Sequence, residues 1–178
     1  NLFGSGLSGL GCSIICAVLI FVLGIPFVLK SLANLDRLAR VFAPVITKLP
    51  FDMLYPTGQR EEKVENSTKF ARFYQEADII SGDFNYIKRY MPDNLKGKIV
   101  ITNTVTKENV EELAERDVSL LITTTPEFEG RSFGTNVIEA LIVAILGKSA
   151  EKITGEEYAS TCAKLGFEPR IVVPGSLP

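Results

Sequence analysis

The sequence predicts an α/β protein, a three-layer sandwich in which helices cover both faces of a mostly parallel sheet. Three observations predict it. Short runs rich in Ile, Val and Leu recur along the chain, each closed by small polar residues. Segments with helical spacing and helical caps lie between them. The chain has 178 residues, 46% apolar and 22% charged, which suits one domain (residues 1–178) with a sizeable core. Strands buried on both faces need not alternate, and parallel strands require crossovers that helices supply.

The first thirty residues, NLFGSGLSGLGCSIICAVLIFVLGIPFVLK, carry no charge before Lys30. Gly4, Gly6 and Gly9 have the Gly-x-Gly-x-x-Gly spacing of a dinucleotide turn. That motif should follow a strand and open a helix, and only Asn1, Leu2 and Phe3 precede Gly4. A glycine-rich turn packed on the sheet is the competing reading. SIICAVLIFV is rich in β-branched residues and reads as a central buried strand. Residues 10–29 are also long enough to cross a bilayer of about 30 Å as a helix, although Gly11, Gly24 and Pro26 interrupt them. The alternation that follows favours the strand over a membrane segment.

SLANLDRLARVFAPVITKL has apolar residues at helical spacing (Leu32, Leu35, Leu38, Phe42, Ile46), with Pro44 placed to kink or end the helix. Residues 49–66 hold Pro50, Pro56 and Gly58 and a charged run, and read as an excursion from the core. STKFARFYQEA is a short helix capped by Asn66 or Ser67. ADIISGD, KIVITNT and VSLLITTT are three strands ending in turn residues. FNYIKRYM gives a helical turn or two, and TKENVEELAERD a helix capped by Thr106. RSFGTNVIEALIVAILGKS holds a helix that Gly147 ends. TGEEYASTCAKLG carries a capping box, Thr154 to Glu157, with Gly166 past its last turn, and EPRIVVP is a final strand.

Several function classes drop out on composition. The net charge of −2 gives no basic surface for nucleic acid. Three cysteines (Cys12, Cys16, Cys162) do not make a disulfide framework and read as reduced thiols of a cytoplasmic protein. The chain has no histidine, which excludes Ser-His-Asp and Cys-His catalysis within it, and no metal site is expected.

In an open parallel sheet, ligands bind beyond the carboxyl ends of the strands. Three such ends are legible: Gly82-Asp83-Phe84-Asn85, Asn103-Thr104-Val105-Thr106 and Thr123-Thr124-Thr125-Pro126. Their hydroxyl and amide groups can hydrogen-bond a ligand, or simply cap the helices that follow. Arg131, Ser132, Gly134, Thr135 and Asn136 precede an apolar helix, whose free N–H groups and dipole favour an anion, with Arg131 as a fork. The competing reading pairs Arg131 with Glu127 or Glu129 and makes Thr135 the cap. Tyr55, Thr57 and Gln59 are placed to reach over a cleft, and Asp83, Lys88 or Tyr55 to handle a proton.

PFDMLYPTG, SGDFNYIKRYMPDNLKGKIVITNTVT and LLITTTPEFEGRSFGTNVIEALIVAILGK resemble a family labelled quinate 5-dehydrogenase, or quinate/shikimate dehydrogenase-like. The resemblance runs from about residue 20 to residue 170. It implies a Rossmann-like three-layer sandwich, an NAD or NADP cofactor and oxidation of a cyclic polyol carboxylate. It also implies that the chain is the C-terminal part of a longer protein. The residues expected at the cofactor are Asp83, Asn103, Thr104, Thr124, Thr125, Arg131, Ser132, Gly134, Thr135 and Asn136, with no catalytic residue assigned. The alternatives are a non-catalytic Rossmann-like module for a small anionic metabolite and a membrane-attached protein with a cytosolic α/β domain. Homo-oligomerisation is left open.

Overall fold

Phe70 and Tyr74, one helical turn apart, are buried on the inner side of α1 (Ser67–Glu76), and the elements after it follow the order read from the sequence. The computed structural model describes residues 67–176, together with Arg37, Arg40, Val41, Pro44 and Lys48. The glycine triplet, the strand expected over SIICAVLIFV, Cys12, Cys16, Tyr55, Thr57, Gln59 and the excursion expected over 49–66 lie outside the described residues.

β1 (Ile79–Ser81) leads into α2 (Phe84–Tyr90), started by Asp83, whose carboxylate accepts the Asn85 N–H at 3.0 Å. β2 (Ile99–Thr102) leads into α3 (Lys107–Glu115). There Thr106 and Asn109 cap each other's backbone N–H groups, with Asn in the place usually held by Glu or Gln. β3 (Leu120–Thr123) is followed by a hairpin of β4 (Glu127–Phe128) and β5 (Arg131–Ser132). Then come α4 (Thr135–Leu146), ended by Gly147 at φ 62°, and α5 (Gly155–Lys164), with the Thr154–Glu157 capping box in place. β6 (Arg170–Val172) closes the series.

The sheet order is β1-β2-β3-β6, with β1, β2 and β3 parallel and β6 antiparallel to β3. The protein is therefore α/β with a mixed, mostly parallel sheet. One row of side chains crosses all four strands: Ile80, Val100, Leu121 and Val172 are in register and all buried. On this row rest α1, α2 and α3 through Phe70, Tyr74, Phe84, Ile87, Val110 and Leu113. Phe70 meets Tyr90 edge-on with centroids 4.8 Å apart. The buried Tyr74 hydroxyl donates to the Ile87 carbonyl at 2.9 Å, and burial pushes its phenol well up.

The other face is less covered than the sequence reading expects. Its side chains come from the alternate positions. Ile79 and Ile171, on the two outer strands, are 42% and 68% exposed among the described residues. Ile138 and Ile142 of α4 are buried but do not belong to the main core cluster. The hairpin was not legible because two-residue strands show no apolar alternation. Its signal is the Glu129-Gly130 turn, with φ 51° and 81°, the paired positive values of a tight hairpin. Arg37, Arg40, Val41 and Pro44 are helical, so the segment with helical spacing forms a helix at these positions and Pro44 does not stop it beforehand.

Candidate functional site

β1, β2 and β3 run parallel, so their carboxyl ends open on one rim. The register sets Ser81 beside Ile101 and Thr102 beside Thr123. On the core face the apolar row gives way at this end to two buried hydroxyls, Thr102 and Thr123. Sequence reasoning named Thr123 within a strand end but missed Thr102 and the pairing of the two. The signal was strand alternation, which places Thr102 on the face of Val100 and Thr123 on that of Leu121.

The loops beyond the rim are bonded together. The Thr124 N–H donates to the Thr102 carbonyl at 2.8 Å, joining the loops after β2 and β3. The Ser132 N–H donates to the Val105 carbonyl at 2.8 Å, tying the hairpin to the first of these loops. The Thr125 hydroxyl donates to the Phe133 carbonyl at 2.6 Å, tying the second to the approach to α4. Phe128 packs against Phe133 and Phe167, with centroids 5.7 Å and 6.2 Å away, and Glu127 pairs with Arg170 of β6. The hairpin is thus anchored at both ends.

α4 begins at Gly134 without a side-chain cap. Thr135 is its first helical residue and not its cap, because the chain turns helical one position after Gly134. Asn136 accepts the Val137 N–H on its own Oδ1 at 3.0 Å. A Cβ at Gly134 would lie 2.6 Å from Asn136 Oδ1 and 3.6 Å from Thr104 Oγ1, so only glycine lets these groups close in without a shift. Thr104 has φ 55°, a left-handed conformation rarely tolerated by a β-branched residue. Ser132 is 1% exposed, and among the described residues its Oγ has no hydrogen-bond partner.

Asn103, Thr104, Thr124, Thr125, Ser132, Gly134 and Asn136 therefore converge. Thr135 stands exposed on the first turn of α4. Asp83 lies one strand over, capping α2. Arg131 is exposed on the hairpin. Glu127, one of the two acids expected to pair with it, is engaged by Arg170 instead. The positive charge of Arg131 acts on Glu108 at the start of α3. The Thr106 hydroxyl is the main cause holding that carboxyl below its ordinary range, with Lys107 and Arg131 adding to it. Lys88 is held by Glu112 at 3.0 Å, and Glu112 also meets Arg116 at 3.3 Å.

A family model described as Domain of unknown function (DUF8754) matches residues 4–174. The chain belongs to the DUF8754 family. No curated protein and no solved structure matches it. The match takes in the uncharged opening stretch together with the sheet, so this DUF8754 unit includes both. Among the described residues, no helix is long and apolar enough to cross a membrane. Nor do three or more His, Cys, Asp or Glu side chains gather there to hold a metal ion. The hydroxyls of Thr104, Thr124 and Thr125 donate within the rim itself, so what it offers a ligand is the Ser132 hydroxyl beside the backbone start of α4, a place that favours an anion.

Proposed function

We propose that this DUF8754 chain is a Rossmann-like nucleotide-cofactor domain, the NAD(P)-binding part of a dehydrogenase of the quinate/shikimate type. One observation carries the reading: three loops are bonded around a helix start whose cap residue, Gly134, gives no side-chain bond, and a buried hydroxyl there has no partner among the described residues. The sequential order of β1, β2 and β3, joined by α2 and α3, supports it as half of a doubly wound sheet. The resemblance of the ITNT and GRSFGTN stretches supports the cofactor.

Two features fit a phosphate-bearing group. A buried hydroxyl costs free energy unless a partner meets it, and a phosphate oxygen would meet Ser132 Oγ. Gly134 leaves the backbone open where a larger residue would crowd Asn136. In this reading the Thr135 and Asn136 N–H groups and the Ser132 and Thr135 hydroxyls hold the phosphates, the Val137 N–H being taken by Asn136 Oδ1, and Arg131 adds positive charge at the outer edge. Asn103, Thr104, Thr124 and Thr125 line the nicotinamide side. The nicotinamide would supply hydride transfer, and the protein binding and orientation.

Calorimetry on the intact protein with NAD, NADP and smaller nucleotides tests this. The expected result is binding of at least one, weakened roughly tenfold by Ser132→Ala through the loss of a hydrogen bond to a charged group. No binding of any of them overturns the reading. A second reading, a module that binds a small anionic metabolite without turnover, draws on the proton-handling candidates. Lys88 is engaged by Glu112, and Asp83 caps α2. Cofactor binding with no hydride transfer to any cyclic polyol carboxylate would favour it.

A further inference from the structure

The β4–β5 hairpin carries two aromatic rings on its exposed side. Phe128 and Arg131 are opposite each other across the two strands, and cross-strand partners share a face. Phe133 follows two positions after Arg131 and returns to that face, while Ser132 between them is buried. The Phe128 and Phe133 rings touch, with centroids 5.7 Å apart and planes tilted by 50°. Phe167 meets Phe128 edge-on at 86°. Neither contact is a flat stack. Phe128 is 48% and Phe133 37% exposed, so ring surface stays open beside Arg131. Rings left in water forgo the stabilisation that burial would give them.

The backbone under these rings is fixed by bonds already described, from Thr125 to the Phe133 carbonyl and from Ser132 to the Val105 carbonyl. Phe167, just past α5, is set by its own N–H, which donates to the Cys162 carbonyl at 2.9 Å. A surface ordered beforehand loses little freedom when a ligand packs on it. The rings also adjoin the place that favours an anion. Phe133 stands between Ser132, whose buried Oγ has no partner among the described residues, and Gly134, where α4 starts. Consecutive Cα atoms are about 3.8 Å apart, so a spacer the size of a sugar joins an anion at α4 to the rings. An open aromatic face, a cation beside it and an anion place next to both fit a phosphate that carries a flat base.

We infer that the exposed face of the hairpin, Phe128 and Phe133 with Arg131, is the seat of the adenine ring of the bound nucleotide. The inference rests on the nucleotide reading above and adds to it where the base lies. The base stacks on the two rings with Arg131 at its edge, and the phosphates pass from it to Ser132 and the first turn of α4.

Calorimetry on the intact protein compares ADP, which carries the base, with inorganic pyrophosphate, which does not. Phe128→Leu and Phe133→Leu keep apolar bulk and remove the ring. Each should weaken ADP binding roughly tenfold and leave pyrophosphate binding unchanged. Phe133→Tyr, which keeps a ring, should bind ADP as the parent does. An equal loss of ADP and pyrophosphate would mean that the rings only brace the hairpin, and would overturn the inference. Unchanged ADP affinity in either leucine variant would overturn it too, while leaving the nucleotide reading in place. Absence of ADP binding to the parent would overturn it as well, and the nucleotide reading falls with it when NAD and NADP also fail to bind. Nuclear Overhauser contacts on the unsubstituted chain give a direct reading. The adenine H2 and H8 protons should meet ring protons of Phe128 and Phe133, and contacts to other aromatic residues alone would overturn the inference.

Discussion

Thr104 and Gly134 face each other across the rim, and each departs from what stability alone would choose. Thr104 holds φ 55° although its branched Cβ disfavours it. Replacing it by Gly should raise stability by about 1 kcal/mol, read as a higher urea midpoint with an unchanged slope, while weakening ligand binding at the rim. Gly134 is the unassisted cap of α4. Gly134→Ala should cost about 0.5–1 kcal/mol, because Ala is a poorer cap than Gly and its Cβ displaces the Asn136 amide. The residue types at the rim were legible from the polar ends of the strands. Their bonding was not. Nothing in one-dimensional spacing says that the Thr125 hydroxyl reaches Phe133, or that Ser132 Oγ is left unmatched, because both depend on the hairpin folding back.

The helices carry their own boundaries, and these were the most legible features of the chain. Thr106, Thr154 and Gly147 act through bonds to residues a few positions away, so local sequence suffices. Thr106→Ala should cost about 1 kcal/mol by removing the acceptor for the Asn109 N–H, measurable by chemical unfolding. α5 adds a pH dependence. The Glu157 carboxyl is held below its ordinary range, first by the Lys148 ammonium and then by the Thr154 N–H. Its folded pKa is depressed, so its contribution is complete above the ordinary glutamate range and is lost as pH falls through the folded value. The difference in thermal midpoint between the parent and Glu157→Gln should accordingly be present at neutral pH and shrink in acid. The β4–β5 hairpin was illegible at this scale because each strand has two residues and its partners lie on β6 and the loop after β2.

At the level of the whole molecule, a buried row across four strands and three helices on one face hold the rim in place. Leu121→Ala, at the middle of that row, should cost about 2–5 kcal/mol and loosen the loops after β2 and β3 together. The alternation of strand and helix was readable because crossovers between parallel strands must be long. The antiparallel β6 was not readable, since an apolar run looks the same in either direction. The expectation of two covered faces needs partners that sequence spacing alone does not assign. The most direct test of the account is an amide NMR titration of the intact protein with NADP and NAD. It should shift the Thr104, Thr124 and Gly134–Asn136 resonances together, at one affinity, and leave those of α1 in place. Unchanged spectra at saturating nucleotide, or shifts confined to residues away from the strand ends, would contradict it.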